Sequence, residues 1–178
     1  MTALICPAIC TAQDARLAVS TNIADYALLV TPNIDVQYAV HKSVTLDAGA
    51  KINSWSFRQF TAEELKHRQQ SYHLGAKWWP WYTFSGWWLG TAAQYSEYDC
   101  GGLFSNDSEA GDAYGLVVSG GYSIQLNRWL NFDLGLGVWG GRTRYVRYEC
   151  PSCGRKTGEG DKYFILPADA RLALQFIF

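Results

Sequence analysis

From residue 16 to the C-terminus, apolar and polar side chains alternate with a period of two rather than with the 3.6-residue period of a helix. In the segment 130–138 every even position is Leu, Phe or Val, and the odd positions between them are Asn, Asp and Gly. The segment 171–178 repeats this pattern. The alternation predicts eight antiparallel strands, near residues 16–20, 34–40, 44–53, 71–82, 86–97, 114–125, 130–139 and 171–178.

The connections between these strands fall into two sets of different length. The turns at 41–42, 84–86 and 126–128 are short, whereas the segments 58–70, 98–112 and 149–162 are long and polar. In an up-and-down meander the two sets lie at opposite ends of the sheet, as in outer-membrane barrels with periplasmic turns and extracellular loops. An even strand number then places both termini at the periplasmic end. A short amphipathic helix is expected over residues 62–70, as a cap on the barrel mouth.

The two faces of the predicted strands differ in a way that indicates which one is outside. Opposite the large apolar residues lie mainly Gly, Ala, Ser, Asn and Gln, with few charges. This face has too few charged residues for the surface of a soluble protein, but it fits the narrow lumen of an eight-stranded barrel. The apolar face is therefore expected to meet lipid, and the fold class is all-β, an eight-stranded antiparallel up-and-down transmembrane barrel of the OmpA/OmpX type. A soluble lipocalin-like ligand-binding barrel is the alternative.

Composition agrees with this interpretation. Charged residues make up 17% and aromatic residues 15% of the 178-residue chain, and the net charge is −1. Without a basic run, no nucleic-acid partner is expected. Two aromatic girdles are predicted, one at the tight-turn end (Trp78, Trp79, Trp81, Tyr82, Trp87, Trp88 and Trp129) and one at the loop end (Trp55, Tyr72, Tyr95, Tyr98, Tyr114, Tyr145 and Tyr148).

The two ends of the chain carry processing and assembly features. Residues 1–13 are small and apolar and are expected to be the remnant of a secretory signal peptide, followed by a single outer-membrane barrel domain over 14–178. Phe176 and Phe178, the last alternating aromatics, are predicted to form the signal that barrel-assembly machinery recognises.

Eight charged residues are predicted to point into the lumen, and they are the candidate functional set: Arg16, Asp35, Asp47, Lys51, His73, Lys77, Asp133 and Arg171. Eight strands leave room for side chains but not for an aqueous channel. Because unpaired charge would be costly there, a plug of ion pairs is expected. The alternative is an ion path or a proton-linked gate.

An enzyme is the main alternative from another functional class, because some eight-stranded outer-membrane barrels modify lipid A. Such chemistry needs a histidine beside a serine or an acid. None of His41, His67 and His73 has both at a recognisable spacing. No catalytic residue, cofactor or metal is therefore predicted, and the acidic segment 98–112 does not have the spacing of a calcium-binding EF-hand loop.

Two segments resemble a known family. They read S-T-N-I-A-D-Y-A-L-L-V-T-P-N-I-D-V at 20–36 and R-Y-E-C-P-S-C-G-R-K-T-G-E-G-D-K-Y-F at 147–164. They are similar to an uncharacterised family of small outer-membrane β-barrel proteins of Bacteroides-type bacteria, with Ile23 and Ala24 as departures from its pattern. The resemblance covers nearly the whole chain after residue 15 and implies the barrel fold and outer-membrane lipid as surroundings. The family's gene neighbourhoods imply a surface protein or a fimbrial partner.

The C-P-S-C-G motif holds Cys150 and Cys153 in the loop before the last strand. This spacing is shared by half of a zinc site, a redox dithiol and a small disulfide loop. An exported chain passes through an oxidising periplasm, so a disulfide is expected, with zinc binding or free thiols as alternatives. Only Cys100 and His67 could add zinc ligands from other loops.

Overall fold

The computed structural model describes residues 16–29, 31–53, 56–58, 64–101, 108–148 and 156–178. It contains nine strands and one short helix within these ranges. In chain order they are β1 (Leu17–Asn22), α1 (Ile23–Leu29), β2 (Asn33–His41), β3 (Val44–Asn53), β4 (Ser56–Arg58), β5 (Glu64–Trp78), β6 (Gly86–Gly101), β7 (Ser108–Gln125), β8 (Leu130–Tyr148) and β9 (Lys156–Ile177).

Eight of these strands form a closed barrel. Each strand pairs antiparallel with its neighbour along the chain, and the first and last strands, β1 and β9, pair with each other. Strand β3 pairs with β5, and the three-residue β4 pairs with β5 beyond the end of β3. The prediction of an eight-stranded antiparallel barrel is confirmed. The backbone N–H of Arg16 donates to the carbonyl of Phe178 at 3.1 Å, so the described chain begins and ends at the tight-turn end.

The strands extend well into the segments that were predicted to be long loops. β5 begins at Glu64, β6 continues to Gly101, and β8 continues to Tyr148. The predicted helix over 62–70 is therefore wrong from residue 64 onward, while 62 and 63 lie outside the described residues. Polar side chains on both faces suggested loops, but paired neighbouring strands satisfy the backbone regardless of side-chain polarity. Helix α1, which the alternation did not predict, lies in the first connection.

The barrel is apolar outside and polar inside. Leu136 is 73% exposed on the outer face, whereas Asp133, three residues earlier on the same strand, is 0% exposed. Gln37 and Gln175 are also completely buried. This is the reverse of a soluble barrel of the lipocalin type, whose apolar residues face inward. No helix in the described ranges is long and apolar enough to cross a membrane.

Two of the predicted girdle tryptophans lie inside the barrel instead. Trp79 and Trp88 are 0% and 2% exposed and pack with Phe84 at the tight-turn end. Their neighbours Trp78 and Trp87 are exposed. Adjacent residues of a strand point to opposite faces, so each Trp-Trp doublet contributes only one ring to the outer surface.

The loop-end girdle needs a similar correction. Tyr98 is half-buried and its hydroxyl is hydrogen-bonded to Thr143 Oγ1 at 2.9 Å, so it belongs to the inside of the barrel. Tyr72, Tyr95 and Tyr114 are exposed on the outer face of neighbouring strands. They lie in one register row across β5, β6 and β7. Trp55 lies outside the described residues.

Candidate functional site

The barrel interior holds a cluster of charged side chains. It contains six of the eight predicted lumen residues: Asp35, Asp47, His73, Lys77, Asp133 and Arg171. Five strands contribute to this lumen cluster, which brings together positions that are up to 136 residues apart in the chain (171 − 35). The alternation within each strand turns these side chains inward, and closure of the barrel places them side by side.

Arg171 is the centre of the lumen cluster. Its Nη1 lies 2.9 Å from Asp35 Oδ2, and its Nε donates to Asp133 Oδ2 at 2.8 Å. Its Nη2 donates to Ser20 Oγ at 2.9 Å. One planar guanidinium thus connects β1, β2 and β8 from its position on β9, using the several fixed donors that distinguish Arg from Lys.

His73 lies between two carboxylates. Its Nε2 is 3.5 Å from Asp35 Oδ1 and 3.5 Å from Asp47 Oδ2. Gly49 lies between Asp35 and His73 in the strand register. A Cβ atom on Gly49 would overlap both the Asp35 carboxylate and the His73 ring. The glycine therefore leaves the space in which the two side chains meet.

Trp88 lies next to the charged side chains and is hydrogen-bonded to one of them, Asp133. Its indole crosses Gly121 and Gly135, where a Cβ would lie 2.6 Å and 2.7 Å from the Trp88 Cζ2. Its Nε1 donates to Asp133 Oδ1 at 2.6 Å. Lys77 Nζ lies 4.3 Å from the Trp88 ring centroid and 3.7 Å from Asp133 Oδ2. A cation over the indole face and an anion at its N–H are both favourable placements.

The other two predicted lumen residues lie outside this cluster. Lys51 Nζ is 2.9 Å from Asp25 Oδ2 in α1, so it attaches the helix to the barrel wall. Arg16 is exposed at the tight-turn end, where it precedes β1.

The lumen cluster is bounded by apolar layers. Trp79 and Phe84 pack below it, and Val117 and Trp139 form a second apolar group towards the loop end. A cavity of about 50 Å³ lies beside His73 and next to the charges, and its lining includes Gln94 and Ser119. That volume suits one or a few water molecules with polar partners. Chemically, the arrangement can hold charge and water in place, which matches an ion-paired filling.

Two asparagines were not predicted as site residues, yet they complete the barrel wall. Asn22 Nδ2 donates to the carbonyl of Ala170 at 3.3 Å, and its Oδ1 accepts from the N–H of Leu172 at 2.8 Å. Asn33 forms the equivalent pair of bonds with the backbone of Asn22. Both carboxamides occupy places where a peptide group of β1 or β2 would pair if α1 did not interrupt the strands. The T-N and P-N pairs that flank the helix are the sequence signal for them.

The loop end carries a separate charged network. Glu109 Oε1 accepts from Lys162 Nζ at 2.7 Å and from the Tyr98 hydroxyl at 3.2 Å, and Arg147 Nη2 lies 3.6 Å from its Oε2. Partial burial raises the pKa of the Glu109 carboxyl, but the Lys162 hydrogen bond and these positive charges lower it more, so the net pKa lies below its ordinary value. A groove of about 810 Å³ at this end is lined by charged and uncharged residues of β5 to β9.

The remaining predicted residues are placed as follows. Phe176 stacks against Trp129 on the outer surface, with ring centroids 6.0 Å apart, and Phe178 is exposed. Cys150 and Cys153 lie outside the described residues, as does the side chain of Cys100. Among the side chains that the structure describes, no group of three His, Cys, Asp or Glu is arranged to hold a metal ion.

Comparison with known proteins adds one match. No curated protein and no solved structure matches this sequence. A family described as "Protein of unknown function (DUF3575)" matches residues 1–178, which is the whole chain. The protein therefore belongs to the DUF3575 family.

Proposed function

We propose that this protein is an integral outer-membrane β-barrel of a Bacteroides-type bacterium, with a filled lumen and a structural or surface-interaction role. The observation that carries the proposal is the apolar outer face of a closed barrel whose interior is polar. Leu116, Val118 and Leu136 are each more than 60% exposed. Together with the other exposed apolar residues of the outer face, these side chains would form in water an apolar patch of a kind that soluble monomers rarely expose. In a bilayer they meet lipid, and their strands, β7 and β8, are paired on both sides, which satisfies the backbone there.

The spacing between the exposed aromatic residues at the two ends supports an apolar band as tall as a membrane. Trp78, Trp87 and Trp129 are exposed towards the tight-turn end, and the row that includes Tyr95 bounds the apolar face towards the loop end. Trp87 and Tyr95 are eight residues apart on β6. This corresponds to about 27 Å along the strand, or about 20 Å along the barrel axis at a usual tilt of about 40°. Outer-membrane barrels have an apolar band of about 25 Å.

The membrane assignment is tested by fractionation. The full chain is expressed behind a host signal peptide in a Gram-negative host, and membranes are washed with carbonate and urea. We expect the protein to remain in the outer-membrane fraction and to show heat-dependent mobility in detergent gels. A monodisperse folded protein obtained without detergent would instead support the lipocalin-like alternative and would contradict the proposal.

Orientation is tested separately, by the accessibility of epitope tags to protease on intact cells. We propose that both termini are periplasmic and that the ends of β5 to β9 face outward from the cell. An epitope tag inserted in 102–107 should then be accessible on intact cells, whereas a tag after Phe178 should not be. The reverse pattern would show that the barrel is inverted.

The lumen is proposed to be closed to ions. Three carboxylates, the Arg171 guanidinium, the Lys77 amine and His73 fill it between apolar layers. In planar bilayers the purified protein should give no steps above the background conductance. Stepwise conductance would favour the ion path that the sequence also allows.

We also propose that the barrel has no catalytic role. His73 faces two carboxylates, and no serine or threonine hydroxyl within the described residues is hydrogen-bonded to its ring. A lipid-modifying activity would change the masses of lipid A. We expect identical lipid A spectra from cells with and without the gene, and a shifted species would support the enzyme.

The proposed interaction role belongs to the loop end, which contains the C-P-S-C-G segment. A Cys150–Cys153 disulfide would stiffen this surface loop, since the pair closes a very short segment after export into an oxidising compartment. Intact mass before and after reduction tests it. Stoichiometric zinc without a mass change would replace the disulfide by a metal site.

The proposed partner is a surface protein or a fimbrial subunit, and barrel-assembly machinery would recognise Phe176 and Phe178.

A further inference from the structure

The barrel wall is incomplete in its upper half. β9 has 22 residues, but β1 pairs only with its last part, from Ala173 to Ile177. Above Ala173, the Asn22 carboxamide makes the last backbone-like contacts on that side. Helix α1 contacts β9. Within the described ranges, no strand pairs with β9 between Lys156 and Ala170 on the side away from β8.

The side chains along this edge are unusually exposed. Tyr163 is 83% exposed and Ile165 is 80% exposed, which are the highest values among the large apolar side chains that the structure describes. A Cβ atom added to Gly158 would meet nothing within 4 Å. Pro167, which has no N–H to donate, lies within the open edge, a position where strands tolerate proline.

The backbone groups of the outward-facing residues point to the open side. Side-chain face and N–H direction alternate together along a strand. Leu172 faces outward and its N–H goes to Asn22 on the β1 side. The outward residues Tyr163 and Ile165 therefore present their N–H and C=O groups to the open side. Such an edge is a template for another strand.

Antiparallel pairing with a second copy of this chain does not fit this edge in one membrane. Two identical β9 edges that pair antiparallel are related by a two-fold axis perpendicular to the sheet. For a barrel in a bilayer that axis lies in the membrane plane, so the second barrel would be upside down. This step rests on the proposed membrane location.

The charge pattern along the edge indicates what the partner strand carries. On the outer face, Glu159 and Asp161 are followed by Tyr163 and Ile165. From the β8 side, Arg142 and Arg144 already neutralise Asp161. Glu159 lies opposite Val146 and receives no cation from β8. An antiparallel partner would therefore place a basic residue at Glu159 and apolar residues at Tyr163 and Ile165.

We infer that the β9 edge from Gly158 to Ile165 binds an extended segment of another protein by strand addition. The segment has apolar residues at one end and basic residues at the other. This inference specifies the kind of partner for the surface-interaction role proposed above, and it rests on that proposal. Backbone hydrogen bonds would supply the affinity, and the alternating side chains would supply the register.

The test uses a synthetic probe and two matched variants of the full chain in detergent micelles. The probe is the capped peptide I-T-Y-T-R-T-K, and its control is the charge-reversed I-T-Y-T-E-T-E. Tyr163→Pro removes the edge N–H, whereas Tyr163→Ala removes only the side chain. Binding is followed by fluorescence anisotropy, and hydrogen exchange reports protection of the β9 amides.

We expect the probe to bind the natural chain and Tyr163→Ala, to slow exchange at residues 159–165, and to bind Tyr163→Pro at least about tenfold more weakly. The charge-reversed peptide should bind more weakly than the probe. Unchanged binding to Tyr163→Pro, or no added protection, would overturn the inference. So would a dimer of the free protein that Tyr163→Pro converts to a monomer, since a second copy would then occupy the edge. Membrane fractionation is independent of these outcomes, so failure of the edge and failure of the membrane assignment are distinguishable.

Discussion

The side chain of Asn33 pairs with the peptide backbone of Asn22 as a neighbouring strand would. The N–H of Asn22 donates to Asn33 Oδ1 at 2.6 Å, and Asn33 Nδ2 donates to the carbonyl of Asn22 at 3.0 Å. Asn33 Nδ2 also donates to the carbonyl of Thr31 at 3.2 Å. The two asparagines flank α1 and are both buried. The barrel can therefore exchange a stretch of strand for a helix without leaving buried peptide groups unpaired.

Asn33→Ala should destabilise the barrel by about 2–4 kcal/mol, because it leaves two buried backbone groups of Asn22 without partners. Asn127→Ala is the matched control, since Asn127 Oδ1 accepts one bond from the Arg128 N–H in an exposed turn. It should cost no more than about 0.5 kcal/mol. The urea midpoint of the protein refolded in lipid vesicles measures both. Equal midpoints for the two variants would contradict the role given to Asn33.

Arg171→Met should destabilise the folded protein by about 3–5 kcal/mol, because Asp35 and Asp133 lose a close cation inside the barrel. Arg144→Met removes an exposed guanidinium that lies 3.7 Å from Asp161, and it should cost less than about 1 kcal/mol. Unfolding in urea compares the two. If the Arg171 variant were as stable as the Arg144 variant, the lumen cluster would not depend on Arg171.

Gly135→Ala should cost about 1–3 kcal/mol and shift the tryptophan emission, because the new methyl group would lie 2.7 Å from the Trp88 ring. Gly140→Ala is the control on the same strand. Its methyl group would meet its nearest neighbours at 3.8 Å, which is ordinary contact. We expect that variant to change stability by less than about 0.5 kcal/mol. A loss of stability at Gly140 as large as at Gly135 would argue against a specific Trp88 contact.

Leu116→Lys should destabilise the membrane-inserted barrel by about 2–4 kcal/mol, because it places a charge in the apolar band. Ala110→Lys introduces the same side chain on the same outer face of β7, six residues nearer the loop end. It should cost only about 0–1 kcal/mol, since it lies beyond the Tyr114 row. Urea unfolding in vesicles gives both values. Equal tolerance of the two lysines would argue that the outer face does not meet lipid.

Glu109→Gln should lower the urea midpoint at neutral pH, and this loss should disappear in acid. The folded-state pKa of Glu109 lies below its ordinary value, so its ionised form stabilises the folded protein. That contribution is complete above about pH 4.3 and is lost as the pH falls through the folded-state pKa. Midpoints at pH 7 and in strong acid test the sign. A difference between the two proteins that grows in acid would contradict it.

The period-two pattern was sufficient for the barrel and for the direction of most side chains. The segments 130–138 and 171–178 have the faces that alternation predicts, with Asp133 and Gln175 inside. The strand ends were predicted less well. In 64–70 and 142–148 polar residues occur on both faces, so the pattern disappears although the strands continue. Pairing with neighbours, which no local window contains, keeps those residues extended.

The candidate site, too, was predicted only in part. Alternation placed Asp35, Asp133 and Arg171 on the inner face, but it could not show which of them meet. Lys51 has the inward phase too, yet it pairs with Asp25 because α1 brings that acid to the loop end. Trp88 was assigned to the outer surface although its phase is inward. A preference for aromatic residues at membrane boundaries outweighed the alternation, and the alternation was the better guide.

By itself, the sequence determined the class of fold, the strand number and the inside-out distribution of apolar residues. These properties depend on alternation, which each strand carries locally. Only the tertiary structure decided that one arginine joins four strands, that two asparagines replace peptide groups around α1, and that β9 is left with an open edge. Each of these depends on the register and length of strands that are far apart in the chain. Register is a property of pairs, so no single segment of the sequence contains it.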